Sequence, residues 1–226
     1  MKIVNRSYPF TDSRTLKQNL FIVRILYYLI DLLAMDRDVT SNASETITAI
    51  GDKGQAGTYL LHIALDQDIM VKFGQFQGGE PVALAAGSYL YVGSALGKSG
   101  SSSLGNRLQR HLLRTGMKPD HQLSSVFRLY ASNIGLHYVD NPSPKTLFWN
   151  IDYLVDLQQA EVSRILFDRS GQNLESAWTE FIIKQDYSEI IRKGLGAHDS
   201  DDKTHLFFTS MSNDQWNELI LQLPVQ

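Results

Sequence analysis

Residues 87–97 read GSYLYVGSALG. Tyr89, Tyr91 and Gly93 alternate with Leu90 and Val92, the two-residue period of a β-strand. The strand ends at Gly93 and enters a run of small residues, SALGKSGSSS. A glycine at that point permits a positive φ or the close approach of a neighbouring group. Upstream, residues 57–65 (GTYLLHIAL) carry the same period, with Tyr59, Leu61, Ile63 and Leu65 on one face. Downstream, in LGNRLQRHLLR, the period becomes helical. Leu104, Leu108 and Leu112 form one stripe, and Arg107, His111 and Arg114 form its neighbour. Two tyrosine-bearing strands and a basic helix therefore set the frame.

The rest of the chain fills in around them. The segment DQD connects GTYLLHIAL to IMVKFGQF, and these two are expected to pair as a hairpin. QGGEPVALAAG reads as a loop. Residues 117–147 are long for a connection, with turn signals in DNPSP, and read as a functional insertion. FWNIDYLVDLQQA reads as helix and EVSRILFD as strand. NLESAWTEFIIKQD reads as a helix capped by Asn173, followed by the loop GLGAHDSDDK. THLFFTS is a strand and NDQWNELILQL a final helix. The expected class is α+β, a small antiparallel sheet flanked by helices. Before it, Asp12 and Ser13 are suitable caps for a helix over residues 14–35. The polar run DRDVTSNASET then reads as a linker, so residues 1–50 are expected as a helical extension and 51–226 as the main domain.

The 226 residues carry a formal net charge of −3, so no global basic field draws the chain to nucleic acid, and an anion site must be a local patch. There is no cysteine, which excludes disulfides and thiolate chemistry and fits a reducing cytoplasm. The longest apolar run, residues 16–35, is interrupted by Arg24 and Asp31 and falls short of a membrane span. That helix is expected to pack on the domain or to mediate self-association.

Three groups of side chains bear on chemistry. Tyr59, Tyr89 and Tyr91 are either core aromatics or site residues, and spacing alone leaves both open. Between Leu96 and Tyr130 the bases Lys98, Arg107, Arg110, Arg114, Lys118 and Arg128 face a single acid, Asp120. Such a run is either a solvated helix face or a set of phosphate contacts. His111 lies one turn after Arg107, a suitable place for an acid–base group. In the later helix, rotation by about 100° per residue places Glu175 at the border of the packed face and Glu180 toward solvent. One carboxylate suffices for Mg²⁺, which keeps waters and takes ligands from a phosphate. No Walker loop, dinucleotide fingerprint or HExxH motif is present.

The ordered series GTY, YLYVGSALG, RLQRH, FWNIDYLV, LES and GLGAHD…THLFF resembles the GIY-YIG nuclease superfamily, and most closely its branch found alone or fused to endonuclease III. The resemblance implies a divalent-metal-dependent endonuclease acting on DNA, in repair or processing. It assigns one Mg²⁺ or Mn²⁺ to Glu175, activation of water to Tyr59, transition-state charge to Arg107, and water positioning or proton shuttling to Tyr91 and His111. From the basic run, Lys98, Arg110, Arg114 and Lys118 are the expected nucleic-acid contacts. Where the branch carries histidine in its WHIDY motif, this chain has Asn150. A binding protein with the same fold and no cleavage is the alternative.

Overall fold

The computed structural model describes residues 46–51, 53–196 and 204–225. The helix expected over residues 14–35 lies outside them. Six strands form the main sheet: β1 (Ile47–Ile50), β2 (Gly57–Leu65), β5 (Gly87–Ala95), β6 (Ala160–Asp168), β7 (Ser188–Ile190) and β8 (Leu206–Thr209), in the order β1-β6-β2-β5-β8-β7. A separate two-stranded ribbon pairs β3 (Ile69–Lys72) with β4 (Pro81–Leu84). Five helices accompany them among the described residues: α1 (Leu104–Leu112), α2 (Leu123–Asn133), α3 (Asn150–Val155), α4 (Glu175–Ile183) and α5 (Asn213–Gln222). None is long and apolar enough to cross a membrane. The class is α+β, with a multi-strand sheet flanked by helices.

β2 and β5 are central because both of their faces are apolar. One face presents Tyr59, Leu61, Ile63, Tyr89 and Tyr91, which pack with Leu104, Leu108 and Leu112 of α1, Phe127 of α2 and Leu154 of α3. The other presents Leu60, Leu90 and Val92, which with Leu166 of β6 pack against Trp178 and Ile182 of α4 and Trp216 and Leu219 of α5. The indole of Trp178 donates to the carbonyl of Pro224 at 2.9 Å, satisfying its one polar atom in that second core.

The structure departs from the sequence expectation at four places. β2 does not pair with β3. A strand buried on both faces takes two long neighbours, β5 and β6, whereas β3 is buried only at Val71 along its length and finds a partner of like character in β4. The segment read as a loop therefore contains β4. The sheet is mixed, because β1 runs parallel to β6 with Ile47 opposite Ile165. β1 thus brings into the sheet residues 47–50, which the sequence pattern assigns to the extension. Finally, residues 117–147 supply core: Phe127 and Ala131 of α2 are fully buried and Leu123 nearly so, spaced at successive turns on one helix face.

β1 makes a direct prediction. Ile47 is fully buried, so Ile47→Ala should cost about 2–4 kcal/mol in urea denaturation. A loss below about 0.5 kcal/mol, the level of an ordinary surface change, would show that β1 is not part of the folded unit.

Candidate active site

Tyr59 sits opposite Gly93 in the β2–β5 register. A Cβ built on Gly93 would stand 2.5 Å from both Cζ and Oη of Tyr59. Gly93 lies inside β5, and its φ is not positive. Its glycine is required by the tyrosine ring lying across it, not by a turn out of the sheet. Tyr91 lies two residues back on the same face, with its ring centroid 6.2 Å from that of Tyr59. Tyr89 sits farther along the face and donates its hydroxyl to the carbonyl of Ala85 at 2.5 Å, away from these two.

α1 covers this face. Its leucine stripe seats the helix, and the adjoining stripe brings Arg107 and His111 over the tyrosines. Tyr59 Oη and His111 Nε2 are 2.9 Å apart. Arg107 lies over Trp149, with its guanidinium carbon 3.6 Å from the ring centroid. Burial pushes the Tyr59 hydroxyl well above its ordinary pKa; Arg107 opposes this by charge and side-chain contact, and the Glu175 charge adds to it. Tyr91 is raised in the same way, by burial first and then by Tyr59 and Glu175. Burial lowers His111 to about 4, against the pull of Asp152, so the imidazole is neutral at physiological pH.

Glu175 opens α4, and Glu180 is exposed on the same helix. Oε2 of Glu175 accepts from Ser94 Oγ at 2.5 Å, and Oε1 lies 2.5 Å from His205 Nδ1. Burial pushes this carboxyl up, but the bonds from His205 and Ser94, with the Arg107 charge, hold it below the usual range. The site therefore offers one ionised carboxylate oxygen set beside an imidazole nitrogen. Among the described residues no group of three or more His, Asp or Glu is placed to hold a metal. A carboxylate with one imidazole fits a divalent cation that completes its shell from water and phosphate.

The profile of a family described as "Domain of unknown function DUF123" matches residues 58–223. The chain belongs to that family. No curated protein and no solved structure gives a match. The DUF123 match begins one residue before Tyr59 and contains Tyr59, Tyr91, Arg107, His111, Glu175 and His205, whereas β1 precedes it.

Within the DUF123 domain, three of the four cations expected to contact nucleic acid are engaged internally. Arg110 donates to Asp152 at 3.1 Å and to the carbonyl of Thr146. Arg114 is buried and donates to the carbonyls of Pro119 and Ala160, at 2.6 and 2.5 Å, and to Glu161 at 3.1 Å. Lys118 is held by Asp156, which also accepts from the backbone and hydroxyl of Thr115. These carboxylates come from α3, its C-cap and β6, and turn the basic run into ties between elements. Lys98 is exposed, and with Lys53 it lines a cleft of about 600 Å³ walled by Gly54, Ser170 and Gly171.

Sequence reasoning missed His205, Ser94 and Asp152. His205 stands just before β8, where its backbone carbonyl accepts from Val92 at 2.9 Å, so the sheet register itself delivers it beside β5. Asp152 is a lone acid among apolar residues in NIDYLV, and its full burial is the signal that it has partners.

Two outcomes follow from this geometry. Gly93→Ala should destabilise by about 1–3 kcal/mol, as an overpacked core does. In a Tyr59→Ala background most of that cost should vanish, measured as a double-mutant cycle in urea; simple additivity would contradict the ring-over-glycine contact. Separately, the native His111 imidazole stays neutral down to about pH 4, whereas the unfolded one titrates near 6.5. The unfolded chain binds more protons across that window, so stability should fall as pH drops from 6.5 toward 4. His111→Gln should flatten this part of the profile, and an unchanged slope would contradict the assignment.

Proposed function

We propose that this DUF123 chain is a divalent-cation-dependent nuclease that hydrolyses DNA phosphodiester bonds in the manner of the GIY-YIG superfamily. What supports this most is the direct contact of the Tyr59 hydroxyl with the neutral nitrogen of His111 at 2.9 Å, beside Arg107 and within the field of Glu175.

The chemistry needs a hydroxide-like nucleophile and a sink for negative charge on phosphorus. A buried phenol does not ionise unaided at neutral pH, because burial has raised its pKa. His111 offers the acceptor: the Tyr59 proton passes to Nε2 as Tyr59 takes one from the attacking water, so that no free phenolate–imidazolium pair has to form. Arg107 favours the phenolate, and its fork suits the equatorial oxygens of the phosphorane-like transition state. Tyr91, packed against both Tyr59 and His111, orients the water. A divalent cation at Glu175, with His205 beside it, would supply a Lewis acid for the phosphate and cancel the carboxylate's upward pull on both tyrosines. Lys98 and Lys53, which line one cleft, would serve as contacts to the DNA backbone.

The burial of Tyr59 and Tyr91, at 1% and 6% exposure, favours a second reading, in which the domain holds DNA without cutting it. Incubating the full chain with plasmid, nicked and branched DNA separates the two. The nuclease reading expects scission that requires Mg²⁺ or Mn²⁺ and drops at least about a hundredfold in Glu175→Ala and Arg107→Ala. Salt-sensitive binding without scission on any substrate would leave only the second reading.

A further inference from the structure

The contact between Tyr59 and His111 has a third member behind it. We propose that Asp152 is a positioning residue that fixes His111 as its Nδ1-protonated tautomer, so that Tyr59, His111 and Asp152 act as one proton relay. The relay rests on the nuclease reading for its purpose, but its geometry stands apart from it.

Asp152 lies in the first turn of α3 and is fully buried. Its two oxygens have different surroundings. Oδ2 accepts from the backbone amides of Phe148 and Trp149, at 3.0 and 3.1 Å, and from Arg110 at 3.1 Å. Oδ1 faces His111 Nδ1 at 3.5 Å and Lys145 Nζ at 3.9 Å. The carboxylate is ionised: burial pushes it up, but His111, Lys145 and the Phe148 amide together hold it well below the usual range. An ionised carboxylate oxygen can only accept, so the ring nitrogen that faces it carries the hydrogen. A neutral imidazole has one such hydrogen. Nε2 is then left with its lone pair, 2.9 Å from the Tyr59 hydroxyl, and must accept from it.

In the transfer, the Oη–H bond breaks and an Nε2–H bond forms as Tyr59 takes its replacement proton from the attacking water, with no change of oxidation state. The imidazolium, fully buried with Nε2 facing Tyr59, then returns its proton through the Tyr59 hydroxyl to solvent water, from which the departing oxygen is protonated. Lys145 and Arg107 oppose the positive ring, and Asp152 favours it. At 3.5 Å the neutral ring and the ionised Asp152 are in slack contact, Nδ1 and Oδ1 having no other hydrogen-bond partner, and the contact tightens into a salt bridge once the ring is charged.

The asymmetry of the carboxylate makes Asp152→Asn a sharp test. Three donors converge on the Oδ2 position, so the amide oxygen must sit there and the amide NH₂ must face His111 Nδ1. The ring can then only accept at Nδ1, its hydrogen moves to Nε2, and Tyr59 loses its acceptor. Two-bond proton–nitrogen NMR of the histidine-labelled full chain reads this directly, with His111 assigned by its absence in His111→Gln. The expected result is an Nδ1–H ring in the wild type and an Nε2–H ring in Asp152→Asn. DNA turnover should fall about a hundredfold or more with KM little changed. Should Asp152→Asn fail to fold, Tyr59→Phe serves instead: its His111 should stay Nδ1–H, because Asp152 and not the tyrosine sets the tautomer. A wild-type ring protonated on Nε2, or a tautomer that follows Tyr59, would overturn the relay. Correct tautomers in a chain that never cuts DNA would support the relay and overturn the nuclease reading alone.

Discussion

The ring of Tyr59 occupies the volume that a side chain at Gly93 would need, and much of the domain follows from that exchange. It requires β2 and β5 to pair in one register, because a one-residue slip would put Val92 or Ser94 opposite the ring. It lays the hydroxyl toward α1, where the leucine stripe sets the helix rotation and thereby sets His111. The same contact is structural packing and chemical geometry at once. The tyrosines can therefore be buried aromatic core while one hydroxyl meets a ring nitrogen.

Much of this is legible in the amino-acid sequence. The alternation in GTYLLHIAL and SYLYVG placed Tyr59 and Tyr91 on strand faces, and the leucine spacing in α1 placed Arg107 and His111 on one side of a helix. Rotation along α4 correctly separated Glu175 from Glu180. These are local periodicities, and local periodicity survives folding when the hydrophobic face is unambiguous. The hairpin expected between β2 and β3 failed because adjacency in sequence competes with burial. A strand apolar on both faces is drawn to the centre, and its partners came from residues 87–95 and 160–168. β1 was obscured by its polar surroundings, and its parallel partner lies more than a hundred residues away.

The basic run shows the limit most clearly. Counting charges between Leu96 and Tyr130 finds six bases against one acid, but the acids that answer Arg110, Arg114 and Lys118 are Asp152, Glu161 and Asp156, distant in sequence. A charge count within a window cannot see a carboxylate delivered by another element. The same blindness hid His205 and Ser94 as the companions of Glu175. The electrostatics that result are layered. Asp152 and Glu175 stay ionised within the fold, His111 stays neutral, and burial holds the two tyrosines protonated against the pull of Arg107.

The central claim is that the Tyr59 hydroxyl takes part in phosphodiester hydrolysis and does not merely fill the core of a DUF123 domain. Single-turnover cleavage of DNA by the full chain, with wild type and Tyr59→Phe compared at equal bound fraction, tests it most directly. The phenylalanine keeps the ring over Gly93 and removes only the oxygen that meets His111. Metal-dependent scission should persist in the wild type and fall about a hundredfold or more in Tyr59→Phe, with folding and DNA binding unchanged. Equal rates in the two proteins would contradict the account.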